Sequence, residues 1–183
     1  PLSLGSIGMH GNPAANKLMG EADVLLAVGT RFSDRATANI DTFAPNAKKI
    51  HVEIDNAEIN KNVEVDVPIV ADAKKTLGVL LKATSEKLQK GAGAAWTKHV
   101  KEAKEQLSPL LKDLPKDIAP KHLLMALREL LPEDGIVTTE VGQNQMWSAL
   151  YFKALKPRTF ISSGGLGTMG FGFPAAIDRK SVV

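Results

Sequence analysis

The sequence predicts an α/β protein built on parallel sheet, in two successive units. Short apolar runs without alternation, Val24-Leu25-Leu26-Ala27-Val28 above all, suit strands covered on both faces between layers of helix. Such runs alternate with segments of helical spacing, the order that gives parallel α/β sheets. The texture then changes around Lys90, after which the alternation begins again. A chain of 183 residues holds one ordinary domain or two partial ones, since domains typically run to about 100–150 residues.

The elements follow in order. Residues 13–21 form the first helical candidate, and Asp23 precedes the strand at 24–28, which Gly29 closes. Ile50-His51-Val52-Glu53-Ile54 is a second strand and residues 67–71 a third, with Pro68 near its start, where a missing N–H is tolerated. A short helix is expected over 57–62, and a stronger one begins at Ala73, where Leu77, Leu80 and Leu81 repeat at helical spacing. Gly91-Ala92-Gly93 is a weak point, and residues 96–107 read as an exposed, charged helix. Pro109, Pro115 and Pro120 mark a connector. The division is therefore 1–90, a helical linker over 91–119, and 120–183. In the last part, residues 120–131 are amphipathic, with Pro120 close to the helix start. A β-branched strand at 136–139, a turn at 140–144 and a helix at 145–154 come next, then a strand at 159–161 and a glycine-rich run at 162–174. Residue 173 starts another helix, and Ser181-Val182-Val183 opens a further strand.

Composition narrows the function classes. The apolar share of 44% and charged share of 23% are those of an ordinary globular protein. The net charge of +3 is spread among acids and apolar residues, and aromatics make up only 5%, which argues against a nucleic-acid surface. Without cysteine there is neither a disulfide framework nor a thiolate metal site, as fits an intracellular, cytoplasmic protein. No apolar run approaches the roughly 20 residues that cross a bilayer, so no membrane partner is expected. The first residues lack the features of a signal peptide, and the missing initiator methionine suggests a cut chain.

Ligands of open parallel sheets gather at the carboxyl ends of the strands. Here the first strand runs into Gly29-Thr30-Arg31-Phe32-Ser33-Asp34-Arg35, the second ends at Glu53-Ile54-Asp55, and the third at Asp72-Ala73. Arg31 and Arg35 beside a glycine turn suit a phosphate, and an acid at the next strand end suits the hydroxyls of a ribose or ribityl chain. Asp55 and Asp72 have a second reading, as caps of the helices that follow them. Ile7-Gly8-Met9-His10-Gly11 is a glycine-bounded loop whose backbone can approach a flat ligand. His10 has no partner at metal-ligand spacing, so no metal site is expected there.

A second constellation lies further on. Glu140-Val141-Gly142-Gln143-Asn144-Gln145 sits between a strand and a helix, where backbone amides suit an anionic phosphate. The run Ser162-Ser163-Gly164-Gly165-Leu166-Gly167-Thr168-Met169-Gly170-Phe171-Gly172-Phe173-Pro174 implies unusual dihedrals or close backbone contact with a ligand. Met169 is its one long, flexible apolar side chain, able to press against a ring.

Together, Gly8-Met9-His10-Gly11, Gly29 through Arg35, Glu53-Ile54-Asp55, Val141-Gly142-Gln143-Asn144-Gln145-Met146-Trp147 and residues 164–176 resemble the large catalytic subunits of the acetolactate synthase (acetohydroxyacid synthase) family. The resemblance implies a Rossmann-like half domain over 1–90, the later part of the family's central FAD-binding domain. Residues 120–183 would then be a truncated thiamine-diphosphate-binding domain. It implies that Met9, His10, Gly29, Arg31, Glu53, Ile54, Asp72 and Ala73 line the flavin. Arg35 and Asp34 face the active-site entrance, Arg35 toward a substrate carboxylate. Gly142, Gln143 and Asn144 contact the diphosphate, while Gly167 and Met169 hold the aminopyrimidine. Arg35, Asp34 and Met169 are thus the catalytic candidates.

By the same resemblance, the whole enzyme decarboxylates pyruvate and condenses it with a second 2-oxo acid in branched-chain amino-acid biosynthesis. It uses thiamine diphosphate, Mg2+ and a structural FAD, with its site shared between subunits of a homo-oligomer and with room for a regulatory small subunit. The Gly-Asp-Gly…Asn magnesium segment and the activating glutamate are not in this sequence, so an inactive internal fragment is expected. Ser33 and Asn144 stand where many relatives carry Asp and His, and residues 177–183 leave the family pattern. The alternatives are a related thiamine-diphosphate lyase or oxidase, such as pyruvate oxidase, and a non-catalytic nucleotide-binding module. Arg31, Arg35 and Met9 favour the carboligase over the lyase or oxidase.

Overall fold

A computed structural model of the chain describes residues 2–85, 87–88, 91–107 and 119–181. The chain divides into two compact units, Pro1–Leu111 and Lys112–Val183. Most of the proline-bearing connector expected over 108–120 lies outside the described residues.

In the first unit, helix α1 (Pro13–Glu21) leads into strand β1 (Val24–Val28). Asn12 sets the start of α1 by accepting the Ala14 N–H, and Pro13 fills the first helical position, where its missing N–H costs nothing. A single helical turn, α2 (Asp34–Thr37), follows the β1 loop, and strands β2 (Lys48–Glu53) and β3 (Val67–Val70) complete a parallel sheet in the order β1-β2-β3. Leu26 pairs with Ile50, and Ile50 with Val67, so one face carries an apolar row. On the other face Ala27 and His51 pair and are buried with Phe32, Phe43, Ala44, Ala47 and Val63 near them. Helix α3 (Ala73–Ser85) follows β3, and α4 (Ala94–Leu107) packs on α1, burying Val100 and Ala103 against Leu18.

Three expectations need correction here. The apolar β1 run is not covered on both faces: Val24 and Leu26, on the edge strand, stay 55% and 44% exposed. The helix expected over 57–62 is only a 3-10 turn, Asn56–Glu58. Asn60 then takes a left-handed φ of 57°, with its side chain accepting the Val65 N–H, and this ends any helix. Residues 96–107 are not exposed all round, since one stripe of α4 is buried on α1.

The second unit holds α5 (Pro120–Leu130), β4 (Val137–Thr139), α6 (Gln143–Tyr151), β5 (Phe160–Ser162) and α7 (Gly172–Ser181). β4 and β5 pair in parallel, Thr138 opposite Ile161 and Thr139 opposite Ser162. The Phe152 and Phe160 rings stack at 6.2 Å, and the Arg128 guanidinium lies 5.3 Å over Phe152. Ser181, expected to open a strand, belongs to the end of α7.

Candidate functional site

The carboxyl end of the first sheet brings several expected residues together. The ladder runs past the strand ends: Gly29 N–H donates to Val52 and Ala71 N–H to Glu53, so Gly29, Glu53-Ile54 and Asp72-Ala73 share one edge. Gly29 has φ 62°, where a side chain is strained. The Gly8-Met9 turn is bound to α2 by a Met9 N–H bond to the Arg35 carbonyl, 2.9 Å. A Cβ on Gly8 would lie 2.0 Å from that carbonyl oxygen, which is why only glycine fits. Asn16 on α1 clamps the same glycine, accepting its N–H at 2.8 Å and donating to its carbonyl at 2.9 Å. The outcome is a contact between distant motifs: the Arg35 Nη1 donates to the Met9 sulfur at 3.5 Å.

Arg31, Arg35, Asp34 and His10 are all exposed, and the Arg35 guanidinium stands 4.0 Å from Asp34. A cavity of about 330 Å3 adjoins Gly8 and Met9, bounded by Asn16, Ala36 and Phe43. Gly29, Arg31, Glu53, Ile54, Asp72 and Ala73 lie outside its lining. The acids of this edge also have local duties. Asp72 accepts the Lys75 N–H at 2.9 Å and caps α3, and Asp55 accepts the Ala57 N–H at 2.9 Å. Glu53 Oε1 turns back to accept Ile54 N–H at 2.8 Å and Asp55 N–H at 3.3 Å.

What shapes the Arg31 loop is a pair of residues that the motifs do not reveal. His51, fully buried on β2, approaches the Thr30 carbonyl with Nε2 at 2.9 Å. A carbonyl oxygen only accepts, so that nitrogen carries the proton; Nδ1 is buried without a partner. Asn62 donates to the next carbonyl, Arg31, at 2.9 Å. Between them Phe32 adopts φ 47° and stacks edge-on with His51 and Phe43 at 4.8 and 5.8 Å. The only sequence signal was a histidine inside an apolar strand.

In the second unit the two expected motifs meet at the ends of adjacent parallel strands. Gly142 has φ 126° and precedes α6, whose first turn has no side-chain cap. The Gln143 and Asn144 amides therefore face outward from the positive end of a helix dipole. Gly167 stands beside that turn, its Cβ position 3.9 Å from Val141, and its φ is 62°. Ser163 braces the run by accepting Gly167 N–H on its carbonyl and Thr168 N–H on its hydroxyl, both at 3.0 Å. Met169 is 83% exposed. Ser162 Oγ accepts from Gln145 at 2.6 Å and from Thr139 at 2.9 Å, tying β5 to β4 and α6.

Glu140, noted only as part of a turn, binds three backbone amides of the glycine run. Its Oε1 accepts Gly172 N–H at 2.6 Å and Phe173 N–H at 3.1 Å, and its Oε2 accepts Gly170 N–H at 2.9 Å. The Phe173 amide, with those of Gly172, Gly170 and Phe171, holds this carboxyl below the ordinary glutamate range against a smaller opposing effect of desolvation. Thr138 donates to the Gly172 carbonyl at 2.9 Å, and a Cβ on Gly172 would strike the β4 backbone at 2.7 Å. Among the described residues no group of three His, Asp or Glu could hold a metal ion, and no helix is long and apolar enough to cross a membrane.

Comparison with known proteins agrees with this layout. Residues 1–80 match the family model for the thiamine pyrophosphate enzyme central domain, and residues 140–180 that for the C-terminal TPP binding domain. The chain is 50% identical over 186 residues to a probable acetolactate synthase large subunit of Methanocaldococcus jannaschii, covering 98% of this chain and 31% of that protein. It is 42% identical over 182 residues to the acetolactate synthase large subunit of Corynebacterium glutamicum, 98% of this chain and 29% of that one. With a chloroplastic acetolactate synthase 1 of Oryza sativa subsp. japonica it shares 42% over 179 residues, 96% and 28%. The chain spans about a third of the length of the curated relatives it matches.

Proposed function

We propose, for a chain that belongs to the thiamine pyrophosphate enzymes, that it supplies one wall of the cofactor site of an acetolactate-forming carboligase. The whole protein would decarboxylate pyruvate and join the two-carbon unit to a second 2-oxo acid, a step toward branched-chain amino acids. The observation that carries this reading is the meeting of Gly142-Gln143-Asn144 with the glycine run at the ends of β4 and β5. The donor set fits a diphosphate: the Gln143 and Asn144 amides at a helix start that no N-cap side chain covers, a glycine that no side chain crowds, and the positive end of a helix dipole. Gly142, Gln143 and Asn144 would hold the diphosphate, and Gly167 and Met169 the pyrimidine. Thiamine diphosphate, when bound, supplies the electron sink for decarboxylation. The residues of this chain orient it and exclude water.

In the first unit Met9, His10, Gly29, Arg31, Glu53, Ile54, Asp72 and Ala73 would line a flavin. Support comes from the sheet edge that Gly29, Glu53, Ile54, Asp72 and Ala73 share and from the exposed Arg31. Glu53 would offer its second carboxylate oxygen there, since the first bonds to its own turn. Arg35, held to Met9 beside Asp34, would meet a substrate carboxylate by a forked pair of bonds. The division at 1–90, 91–119 and 120–183, Mg2+, a homo-oligomer, a small subunit and a cytoplasmic site belong to the same proposal.

Exchanging these residues for the matching stretch of the Corynebacterium glutamicum enzyme tests it. Acetolactate formed from pyruvate by the hybrid is the expected result, and Arg35→Ala in the hybrid should raise KM for pyruvate on the order of tenfold or more. A folded hybrid that binds thiamine diphosphate yet forms no acetolactate would count against the carboligase reading and favour a lyase, an oxidase or a binding module.

A further inference from the structure

Two helices of the second unit point their N-termini toward the same motifs, and they differ in one respect. α6 starts at Gly142 with no side chain on its first amides. α7 starts at Gly172 with a carboxylate already there, that of Glu140 from the end of β4. The same carboxylate reaches back to Gly170 N–H, beside Met169. Thr138, two residues earlier on β4, takes the carbonyl of the Gly172 peptide whose N–H Glu140 takes. Both backbone polar groups of one glycine are thus gripped from one strand, and Gly172 lies so close to β4 that no side chain fits. Ionised carboxylates bond backbone amides about twice as strongly as neutral acceptors do, and they suit the positive end of a helix.

We infer that Glu140 is a positioning residue: its carboxylate is the anion built into the N-terminus of α7, and it fixes the backbone on both sides of Phe171. Phosphate is thereby excluded from α7, and the only N-terminus of the pair left for an anion is that of α6. The last point rests on the diphosphate reading above; the grip on the glycine run does not.

Amide hydrogen exchange on the 15N-labelled 183-residue chain tests the grip without any ligand. Glu140→Gln keeps an oxygen for Gly172 and Phe173, because two bonds outweigh one, and turns an NH2 group toward Gly170. Gly170 should then exchange on the order of tenfold faster, while Gly172 and Phe173 change much less. Glu140→Ala should release all three. Inorganic pyrophosphate supplies a readout that a merely structural glutamate would not move. In the unaltered chain it should shift the amides of Gly142, Gln143 and Asn144 and leave Gly172 and Phe173 still. In Glu140→Ala it should shift Gly172 and Phe173 as well. Equal exchange at all three amides in the unaltered chain and in Glu140→Gln would overturn the inference, and so would pyrophosphate binding at Gly172 with Glu140 present. Should the alanine variant not fold, the glutamine variant decides alone. A pyrophosphate response nowhere near α6, with the exchange pattern intact, would overturn the diphosphate reading and leave Glu140 in its role.

Discussion

Both units end their parallel strands in acids, and they use those acids in different ways. In the first, Asp55, Asp72 and Glu53 bond to amides no more than three residues onward, shaping only their own turns. In the second, Glu140 reaches thirty residues and more along the chain and organises another loop. The loop that carries Arg31 and Arg35 is held by His51 and Asn62 at its carbonyls and by Asp34, whose Oδ1 accepts the Arg35 N–H at 2.8 Å. In that exposed loop the Arg35 guanidinium stands against the Met9 sulfur and 4.0 Å from Asp34. A glycine run on an anionic scaffold keeps phosphate away from the helix that follows it. The same strand-end position therefore serves two electrostatic designs.

The largest effect that would break this comparison is at Gly8. Gly8→Ala should cost roughly 2–5 kcal/mol by urea unfolding, since it forces a left-handed backbone and a clash with the Arg35 carbonyl together. A cost within the range of ordinary surface changes would mean that the Gly8 turn is not locked to α2. His51→Leu comes next, at about 1–3 kcal/mol, because it leaves the half-buried Thr30 carbonyl without this donor. His51→Gln, which can present an amide donor at similar reach, should recover part of the loss. Equal losses for both variants would assign the effect to packing against Phe32 rather than to the carbonyl.

The smallest effect is on pH dependence, and it sharpens the contrast. The carboxyl of Glu140 is held low, so its contribution is complete above about pH 4.5 and is lost as the pH falls through its own lower value. The amides of Gly170, Gly172 and Phe173 should follow that single titration in an NMR series. In the first unit the acid held low is Asp66, chiefly by the Lys49 amide and then by Lys48. Its sign is the same, with stability lost as acid protonates it. Asp66 precedes β3 at the opposite end of the strands, so the Gly29–Phe32 amides should stay unmoved while Lys49 responds. Movement of both sets together would couple the arginine loop to Asp66 and contradict that separation.

Much of this was legible in the sequence, and the limit has a physical cause. Local signals placed α1 at 13–21, β1 by its apolar run, and the glycines of the 8–11 loop and the 162–174 run as points of close approach or unusual backbone. They also offered the capping role of Asp55 and Asp72 that the structure shows. Partner choice over long separations was not legible. Thr30 with His51, Arg31 with Asn62, and Glu140 with Gly172 lie 21, 31 and 32 residues apart, and nothing in a local pattern encodes such pairs. The exposed face of β1 was missed for a related reason. Apolar composition says that a strand side prefers cover, not which element supplies it.

The central claim is that the turn before α6 and the glycine run form the diphosphate and pyrimidine wall of a thiamine-diphosphate site. Titrating thiamine diphosphate with Mg2+ into the 15N-labelled chain, against thiamine alone, tests it most directly. Shifts are expected at Gly142, Gln143, Asn144, Gly167 and Met169, with thiamine alone moving the first three far less. Shifts confined to other residues, or the same response to both compounds, would contradict it.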